Sequence, residues 1–286
     1  SDPSNAVPAT VPAPKPITVS PFTHGDTSVT LTPNGKTDIV YAGIQGKVIK
    51  FEKQANNQYK QVINDANVTL TPNGNGSLTI TLPAGKQFKA GDRVVTRAEN
   101  SDITTNTGTR PSAEAEGYGQ LKRSDKVPVK DPSNLSPTDK ERVKAAVLKA
   151  NPGIEVADLT IAQNGDVTYN HRGEGSGSKR EMRLTDNVKR DNVAPSKPTI
   201  PTSLTDKAGT RTQIEVDAEA GVSVVVYDHG GQELGRGEAN ASGKAFITPS
   251  KDIPSGNVTA KAIDKAGNVS DPSNAVPATV PAPKPI

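Results

Sequence analysis

The sequence predicts a mainly β protein, in which immunoglobulin-like β-sandwich modules follow one another with a small α+β module between them. Alternating segments rich in β-branched residues recur at roughly 8–12 residues and are separated by Gly, Pro and Asn turns, as in a sandwich. A single segment near the middle has the apolar period of a helix. Residues 1–17 recur letter for letter as residues 270–286, which predicts one whole unit of a tandem array and the start of the next.

The first module is expected at residues 18–123. The heptapeptide Val-Thr-Leu-Thr-Pro-Asn-Gly occurs at residues 29–35 and again at residues 68–74. Asn and Gly tolerate the positive φ that two-residue hairpins require, so a strand and a hairpin turn are predicted at both copies. A long polar loop or hinge is predicted at residues 105–119. Further alternating strands are predicted at residues 38–41, 47–51, 77–82 and 93–98.

A small α+β module is predicted at residues 124–190. Ser136 is placed as the N-cap of a helix, with Pro at the first helical position and Asp139 at the third, a variant of the capping box. An apolar face at i, i+4 and i+7 follows, and the Asn-Pro-Gly at residues 151–153 ends the helix. Residues 156–169 are predicted to form a hairpin around an Asn-Gly turn, with a third strand after it.

The third module, at residues 191–271, is again all-β, and Pro-rich linkers are expected at residues 1–17 and 272–286. Proline fixes its own φ and forces the preceding residue into extended geometry. Residues 7–16 are therefore predicted to form polyproline II, a semi-rigid spacer. A PxxP ligand for a partner domain is the alternative interpretation.

Composition excludes several classes of site. Aromatic residues make up 3% of the chain, too few for a large sugar platform, and the absence of cysteine excludes disulfides and thiolate metal sites. The 34 Lys and Arg against 31 Asp and Glu form no basic stripe, so no nucleic-acid partner is expected. No apolar run approaches the ~18 residues of a membrane span, so no membrane partner is expected either. Without a signal peptide at its start, the chain is expected to be a soluble piece of a longer parent.

Two segments resemble repeats of bacterial surface proteins. Residues 191–276 contain APSKPT close to their beginning and end with AIDKAGNVSDPSNAV. They resemble the bacterial Ig-like repeats of cell-wall-anchored proteins. Residues 127–184 contain VKDPSNLSPTDKERVKAAVLKANPG and an NGDVTY turn. They are similar to the helix-plus-hairpin repeats of Gram-positive adhesins of the biofilm-associated protein and enterococcal surface protein kind. Two features depart from such proteins: His-Arg-Gly at residues 171–173 replaces a YPDG-like turn, and the chain has no LPXTG sorting signal.

The resemblance implies a secreted protein of the cell wall and cell surface of a Gram-positive bacterium, with a structural and adhesive role. On this hypothesis the repeat is part of an extended stalk that projects a distal binding region and supports intercellular adhesion in biofilm. Its expected partners are neighbouring repeats of the same protein, like repeats on other cells, and host surface ligands. The alternative is that residues 18–123 bind a host ligand or glycan. Tyr41, Phe51 and Tyr59 would form the binding face if they point outward, and core if they point inward.

One metal site is predicted, for calcium at the module junctions. Asp264 and Asp271 lie near the end of the third module and Asp191 near its start. Ca²⁺ takes six to eight oxygen ligands, and two adjoining modules could supply several of them. The alternative is that these side chains bond their own backbone in turns. No cofactor is required.

The three histidines, His24, His171 and His229, each lie within two residues of a glycine. A catalytic histidine needs a nucleophile and an orienting carboxylate, which the pairs His24–Asp26 and Asp228–His229 do not supply. The histidines are therefore predicted to be exposed turn residues, and the protein is predicted not to be an enzyme. A hydrolase whose acids converge in one cleft is the remaining alternative.

Overall fold

The computed structural model describes residues 12–101 and 109–283. Contacts divide the chain into two compact units. The first comprises Ser1–Asp125 and Arg142–Asn187, and the second comprises Lys126–Glu141 and Val188–Ile286. The predicted mainly β fold class is confirmed, since strands account for 40% of the structure and helix for 6%.

The N-terminal sandwich of the first unit has ten strands within the described residues, arranged in two antiparallel sheets. They are β1 (Lys15–Val19), β2 (Ser28–Asn34), β3 (Ile39–Ile44), β4 (Lys47–Lys53), β5 (Tyr59–Asn64), β6 (Thr69–Pro72), β7 (Leu78–Thr81), β8 (Arg93–Ser101), β9 (Thr109–Pro111) and β10 (Ala115–Tyr118). One sheet has the order β1-β2-β7-β6, and the other has the order β10-β8-β3-β4-β5, with β9 paired to β8.

The core of this sandwich forms because alternate residues of each strand point inward. In β3, Val40, Ala42 and Ile44 are buried while the residues between them remain partly exposed. Leu31 of β2 and Phe51 of β4 are fully buried in the same cluster. The outward residues of β3, β4 and β8 therefore share one solvent-facing sheet surface.

The two Asn-Gly turns have different outcomes. The two-residue hairpin predicted at Asn34-Gly35 is wrong, because β2 pairs with β1 and β7 while β3 belongs to the other sheet. Gly35 does adopt a φ of 70°, but this local geometry does not determine which strand comes next to β2. The hairpin predicted after the second heptapeptide forms between β6 and β7, although its loop is longer than two residues and the positive φ lies at Gly76.

The hinge predicted at residues 105–119 is wrong where the structure describes it. Residues 115–118 form β10, which pairs with β8 through four residues from Ala115 opposite Thr96 to Tyr118 opposite Arg93. The sequence Ala-Glu-Gly-Tyr gives no apolar alternation because β10 is an edge strand, so the pattern of a strand is absent there. Residues 105–108 lie outside the described part of the chain.

Helix α1 (Pro137–Ala150) begins and ends where the sequence predicts. The Ser136 hydroxyl accepts the Asp139 N–H at 3.1 Å, and the Asp139 carboxylate accepts the Ser136 N–H at 3.2 Å, which is the reciprocal pattern of a capping box. Val143 and Val147 are fully buried on one face. In residues 12–101 and 109–283 no helix has the length and apolarity that a membrane span requires.

After the helix and a short 3-10 turn (Val156–Asp158), three antiparallel strands form a small sheet of order β12-β13-β14, which confirms the predicted hairpin and third strand. These strands are β12 (Leu159–Ile161), β13 (Val167–His171) and β14 (Arg180–Leu184). Val167 and Met182 are buried on the inner face of the sheet.

The second unit contains a parallel strand pair and a C-terminal sandwich. The pair is β11 (Val127–Val129) and β15 (Val188–Arg190). The sandwich strands are β16 (Ile214–Asp217), β17 (Ser223–Tyr227), β18 (Glu233–Glu238), β19 (Lys244–Ile247), β20 (Gly256–Ile263) and β21 (Val276–Ala278). Sheets of order β16-β19 and β18-β17-β20-β21 enclose a core of Val, Ile, Leu and Ala side chains.

The Pro-rich linkers predicted at residues 1–17 and 272–286 are wrong in part, because strands occupy both segments. Lys15 begins β1, and residues 276–278 form β21. Ile17 and Ala278 are each 1% exposed and belong to the cores of their sandwiches. Proline is tolerated because β1 and β21 are edge strands, where the missing N–H does not interrupt a ladder. Residues 1–11, and with them half of the predicted polyproline segment, lie outside the described residues.

Candidate functional site

A buried polar contact in the first unit lies where the N-terminal sandwich meets the segment formed by the end of α1 and strands β12–β14. We call it the backbone joint, formed by His24 and residues 89–93, 119–122, 151–152 and 173–175. Its contacts are made by main-chain groups, or by buried side chains bonded to main-chain groups.

Two glycines bring the two backbones together. A Cβ on Gly173 would lie 2.1 Å from the carbonyl carbon of Gly91 and 2.3 Å from the Asp92 nitrogen. Since real Cβ atoms do not approach backbone this closely, only glycine fits at residue 173. The contact is continued by Gly175, whose φ is 75° and whose added Cβ would lie 3.1 Å from the Gly46 nitrogen.

Asp92 satisfies the main-chain donors that this approach removes from water. Asp92 is only 1% exposed. One carboxylate oxygen accepts the Glu174 N–H at 3.0 Å, and the other accepts the Lys89 N–H at 2.8 Å. The Glu174 carbonyl in turn accepts the Arg93 N–H at 2.9 Å. A buried carboxylate with several N–H donors is well solvated by the protein, so the joint is polar without unsatisfied main-chain groups at these positions.

His24 and Asn151 attach the joint to the end of the helix. The ring Nδ1 of His24 accepts the Ala90 N–H at 3.4 Å, so its Nε2 carries the proton and donates to the Pro152 carbonyl at 3.0 Å. Asn151, which is fully buried, accepts the Lys122 N–H at 2.7 Å and donates to the Lys122 carbonyl at 2.8 Å. The Asn151 side-chain amide therefore makes the pair of hydrogen bonds that a neighbouring β-strand would make with Lys122.

The rim of the joint is an exposed charged cluster. Arg180 of β14 donates to the Tyr118 hydroxyl at 2.6 Å and to Glu116 at 3.2 Å, and its guanidinium lies 4.3 Å from the centre of the Tyr118 ring. A hydrogen bond from Arg93 is the main reason why the pKa of the Glu116 carboxyl is lowered. Exposed ion pairs of this kind contribute little on their own, so the buried contacts determine the stability of the joint.

The prediction of exposed turn residues is wrong for His24 and His171 and right for His229; His171 lies in a strand and is half-buried. His24 lies in a turn as predicted, but it is 6% exposed, because the α1 end covers it. His171 belongs to β13, stacks on Tyr169 and donates to Asp158 at 2.7 Å. Hydrogen bonds from His171 and Lys179 lower the pKa of the Asp158 carboxyl, as in a structural ion pair. His229 is exposed, as predicted.

The three aromatic residues proposed as a ligand face do not share one surface. Phe51 is fully buried in the core. Tyr59 packs against the same core and donates its hydroxyl to the Thr37 carbonyl at 2.8 Å, and burial raises its pKa to about 12. Tyr41 points outward, with the Arg97 guanidinium 5.0 Å and the Lys50 ammonium 5.5 Å from its ring centre.

A shallow groove nevertheless lies beside Tyr41 on the outward face of β3, β4 and β8. It has a volume of about 190 Å³ and is lined by Val48, Val95, Arg97 and Glu114. Gly43 forms its floor, since a Cβ there would lie 2.9 Å from a methyl group of Val95. The groove combines apolar walls, a tyrosine and charges of both signs.

The predicted calcium ligands are only partly brought together. Asn268 links two of them: its side-chain amide donates to the Asp191 carbonyl and to the Asp264 carboxylate, both at 2.9 Å. The other Asp264 oxygen accepts the Asn268 N–H at 2.8 Å, whereas Asp271 is exposed. Across the described residues no group of three or more His, Cys, Asp or Glu is placed to hold a metal ion. Calcium binding by Asp191, Asp264 and Asp271 stays a prediction.

Two family models match this chain. The model of the atypical Rib domain matches residues 120–192, and that of the bacterial Ig domain matches residues 194–279. Each model covers less than half of the chain, and the two matches together confirm the predicted resemblance to repeats of bacterial surface adhesins. No curated protein matches the chain significantly.

The solved structures that match this chain share little sequence with it. A biofilm-associated protein BSP domain is 15% identical with a TM-score of 0.27, and the match covers 93% of this chain but 30% of that one. The sialic acid binding region of a Streptococcus sanguinis adhesin is 15% identical with a TM-score of 0.35, covering 94% of this chain and 76% of that one. The present chain thus spans about a third of the first of these structures.

The joint predicts a specific effect of filling the glycine contact. Gly173→Ala places a methyl group against the backbone at residues 91–92, and overpacking of this kind lowers the free energy of unfolding by roughly 1–3 kcal/mol. Chemical denaturation measures this loss, and hydrogen exchange at the Arg93 and Glu174 amides reports opening of the joint. Gly177→Ala is the matched control, because a Cβ there meets nothing within 4 Å. Equal stability of the two variants would contradict the role of the joint.

The calcium prediction is tested by melting. If calcium binds at the third-module junction, the melting temperature of the wild-type chain is higher in CaCl₂ than in EDTA, and Asp264→Ala abolishes this difference. Asp264→Ala is expected to melt lower in EDTA as well, because it removes two hydrogen bonds to Asn268. The calcium response is therefore the readout, with the exposed Glu238→Ala as control. A wild-type melting temperature that is the same in CaCl₂ and in EDTA would contradict calcium binding at this junction.

Proposed function

We propose that this chain is a structural repeat of a bacterial surface adhesin, in which consecutive domains form an extended stalk that holds a distal binding region away from the cell. The observation that carries the proposal is the backbone joint. It connects the N-terminal sandwich to the Rib segment through buried main-chain contacts in place of a flexible linker.

A stalk has to resist bending between its domains, and a linker rich in Gly and Ser does not do so. Contacts at the joint are short-range and directional, and they require glycine at residue 173. A small rotation about the joint would separate Asp92 from the Glu174 N–H and leave buried polar groups unpaired, which costs about 1–3 kcal/mol for each group. The joint is therefore suited to holding two domains in one orientation.

The domain families support the remaining parts of the proposal. The atypical Rib and bacterial Ig domains make a secreted, wall-attached protein the best supported setting, with no enzymatic activity of its own. Weak contacts between like repeats on neighbouring cells would add up over an array, because linked sites bind with high effective concentration. Intercellular adhesion in biofilm is then a consequence of repeat number.

A second candidate function is ligand binding by the groove beside Tyr41. Its apolar walls and the opposed charges of Arg97 and Glu114 suit a small polar ligand such as a host glycan. The groove is shallow and contains one aromatic residue, so its affinity would be low. In an array, such sites would act together.

The stalk is tested by small-angle X-ray scattering of the whole chain. A compact globule of 286 residues has a radius of gyration of roughly 19 Å, from the scaling of globular proteins with chain length. A stalk segment is expected to exceed this value by about half or more, since domains placed end to end spread the mass along one axis. A measured radius close to that of the globule would refute the stalk.

The second candidate is tested on an array of host glycans. Any glycan that the wild-type chain binds through the groove is expected to bind at least about tenfold more weakly to Tyr41→Ala, a loss of ~1.4 kcal/mol. Phe246→Ala, which changes an exposed aromatic residue of the C-terminal sandwich, is the control. Unchanged binding by Tyr41→Ala, or no glycan bound by the wild type, would exclude this function.

A further inference from the structure

The duplicated segment is divided between two different folds. Its last residues, seen in the first copy, form the start of β1, where Ile17 is buried in the core of the N-terminal sandwich. Its first ten residues, seen in the second copy, are residues 270–279, which contain β21 and belong to the C-terminal sandwich. One sequence of seventeen residues thus supplies the end of one domain type and the beginning of another.

Residues 270–279 act as the closing strand of the C-terminal sandwich. Strand β21 pairs antiparallel with β20, with Val276 opposite Val258 and Ala278 opposite Gly256. Upstream of β21, the hydroxyls of Ser270 and Ser273 accept N–H groups from β20: Ser270 from Ala262, and Ser273 from Ala260, each at 2.9 Å. The segment therefore satisfies the main-chain donors of β20 on that edge.

The same segment also closes a loop of the sandwich. The Thr279 carbonyl accepts the Ala208 N–H at 2.9 Å, and its hydroxyl accepts the Asp206 N–H at 2.8 Å. The Thr279 N–H donates to the carbonyl of Leu204, which is fully buried in the core. Ala278 is 1% exposed, so a larger or charged side chain there would not fit. The β20 edge and this loop form a shaped site for one particular sequence.

Residues 1–10 carry that sequence in full. Ser1, Ser4, Ala9 and Thr10 correspond to Ser270, Ser273, Ala278 and Thr279. In this chain the β20 edge is already occupied by residues 270–279. Any edge that residues 1–10 occupy must therefore belong to another bacterial Ig domain with the same edge.

We propose that the β20 edge is a docking site for the sequence of residues 270–279, and that residues 1–10 close this edge on the bacterial Ig domain of the preceding repeat. The proposal rests on the proposed function, in which copies follow one another in an array. Residues 1–10 of one repeat are then the closing strand of the preceding repeat.

The consequence is a very short connection between repeats. Only residues 11–14, Val-Pro-Ala-Pro, separate the end of the closing strand from Lys15, where β1 begins. A fully extended chain covers at most about 3.6 Å per residue, so the five steps from residue 10 to residue 15 span at most roughly 18 Å. Two prolines stiffen this connection further.

The docking site is tested in trans with a fluorescent synthetic peptide of residues 1–17. The recipient is the full chain with Ala278→Glu, which places a charge in the core and weakens its own closing strand. Fluorescence anisotropy is expected to show saturable binding, and the peptide is expected to raise the melting temperature of the variant. The wild-type chain should bind little peptide, because its own strand competes at high effective concentration.

Matched peptides separate docking from non-specific binding. The peptide with Ala9→Glu places the charge at the buried position and is expected to bind at least tenfold more weakly. The peptide with Val11→Glu is expected to bind as the unchanged peptide does, since the corresponding Val280 is 63% exposed. No binding of the unchanged peptide, or equal binding of the Ala9→Glu peptide, overturns the proposal.

A milder recipient keeps the test decisive if Ala278→Glu does not fold. Ser273→Ala removes the acceptor of the Ala260 N–H without adding a charge, and the peptide is expected to raise its melting temperature too. The outcome is independent of the scattering test. An extended particle without peptide docking would overturn this inference and leave the stalk in place, whereas docking on a compact particle would do the opposite.

Discussion

The first compact unit depends on one close approach between two backbones, at Gly91 and Gly173. Main-chain N–H and C=O groups brought this close together are withdrawn from water, so each of them requires a partner. Asp92 and the main chain of Glu174 provide these partners, and Asn151 does the same beside the helix end. The close approach of the two backbones therefore requires both a glycine, which leaves room for it, and buried polar side chains, which bond the main-chain groups.

This arrangement makes the N-terminal sandwich and the β12–β14 sheet one unit in terms of energy as well as geometry. The contacting residues come from loops and strand ends, which are usually the least stable parts of a domain. Here they are buried and hydrogen-bonded, because each domain covers the loops of the other. A polar rim around Arg180 and Glu116 then surrounds a buried centre, the usual anatomy of a specific interface.

The duplicated proline-rich segment also contributes to folded domains. Proline-rich sequence is commonly interpreted as spacer, but an edge strand tolerates proline on the side that has no neighbour. Pro16 in β1 and Pro277 in β21 are both in this position. Next to these prolines, Ile17 belongs to the core of the N-terminal sandwich and Ala278 to the core of the C-terminal sandwich. Little of the duplicated segment is left to act as a flexible linker.

Much of the fold could be predicted from the sequence because it depends on neighbours along the chain. The capping box at Ser136 and the apolar face of Val143 and Val147 specify α1 locally, and alternation specifies most strands. Residues 115–118 escaped prediction because this edge strand, Ala-Glu-Gly-Tyr, has two small residues and no such alternation.

The sequence by itself thus determined most of the elements that form, the domain types they build and the segment that is duplicated. Only the tertiary structure decided that the chain crosses from one sheet to the other between β2 and β3, that His24 is buried and that Gly173 fits against Gly91. These features join residues that are far apart in sequence, and main-chain contacts leave no mark on the side-chain pattern. Secondary-structure preferences depend on residues adjacent in sequence, whereas the hydrogen-bond partners of a main-chain group depend on how the whole chain packs.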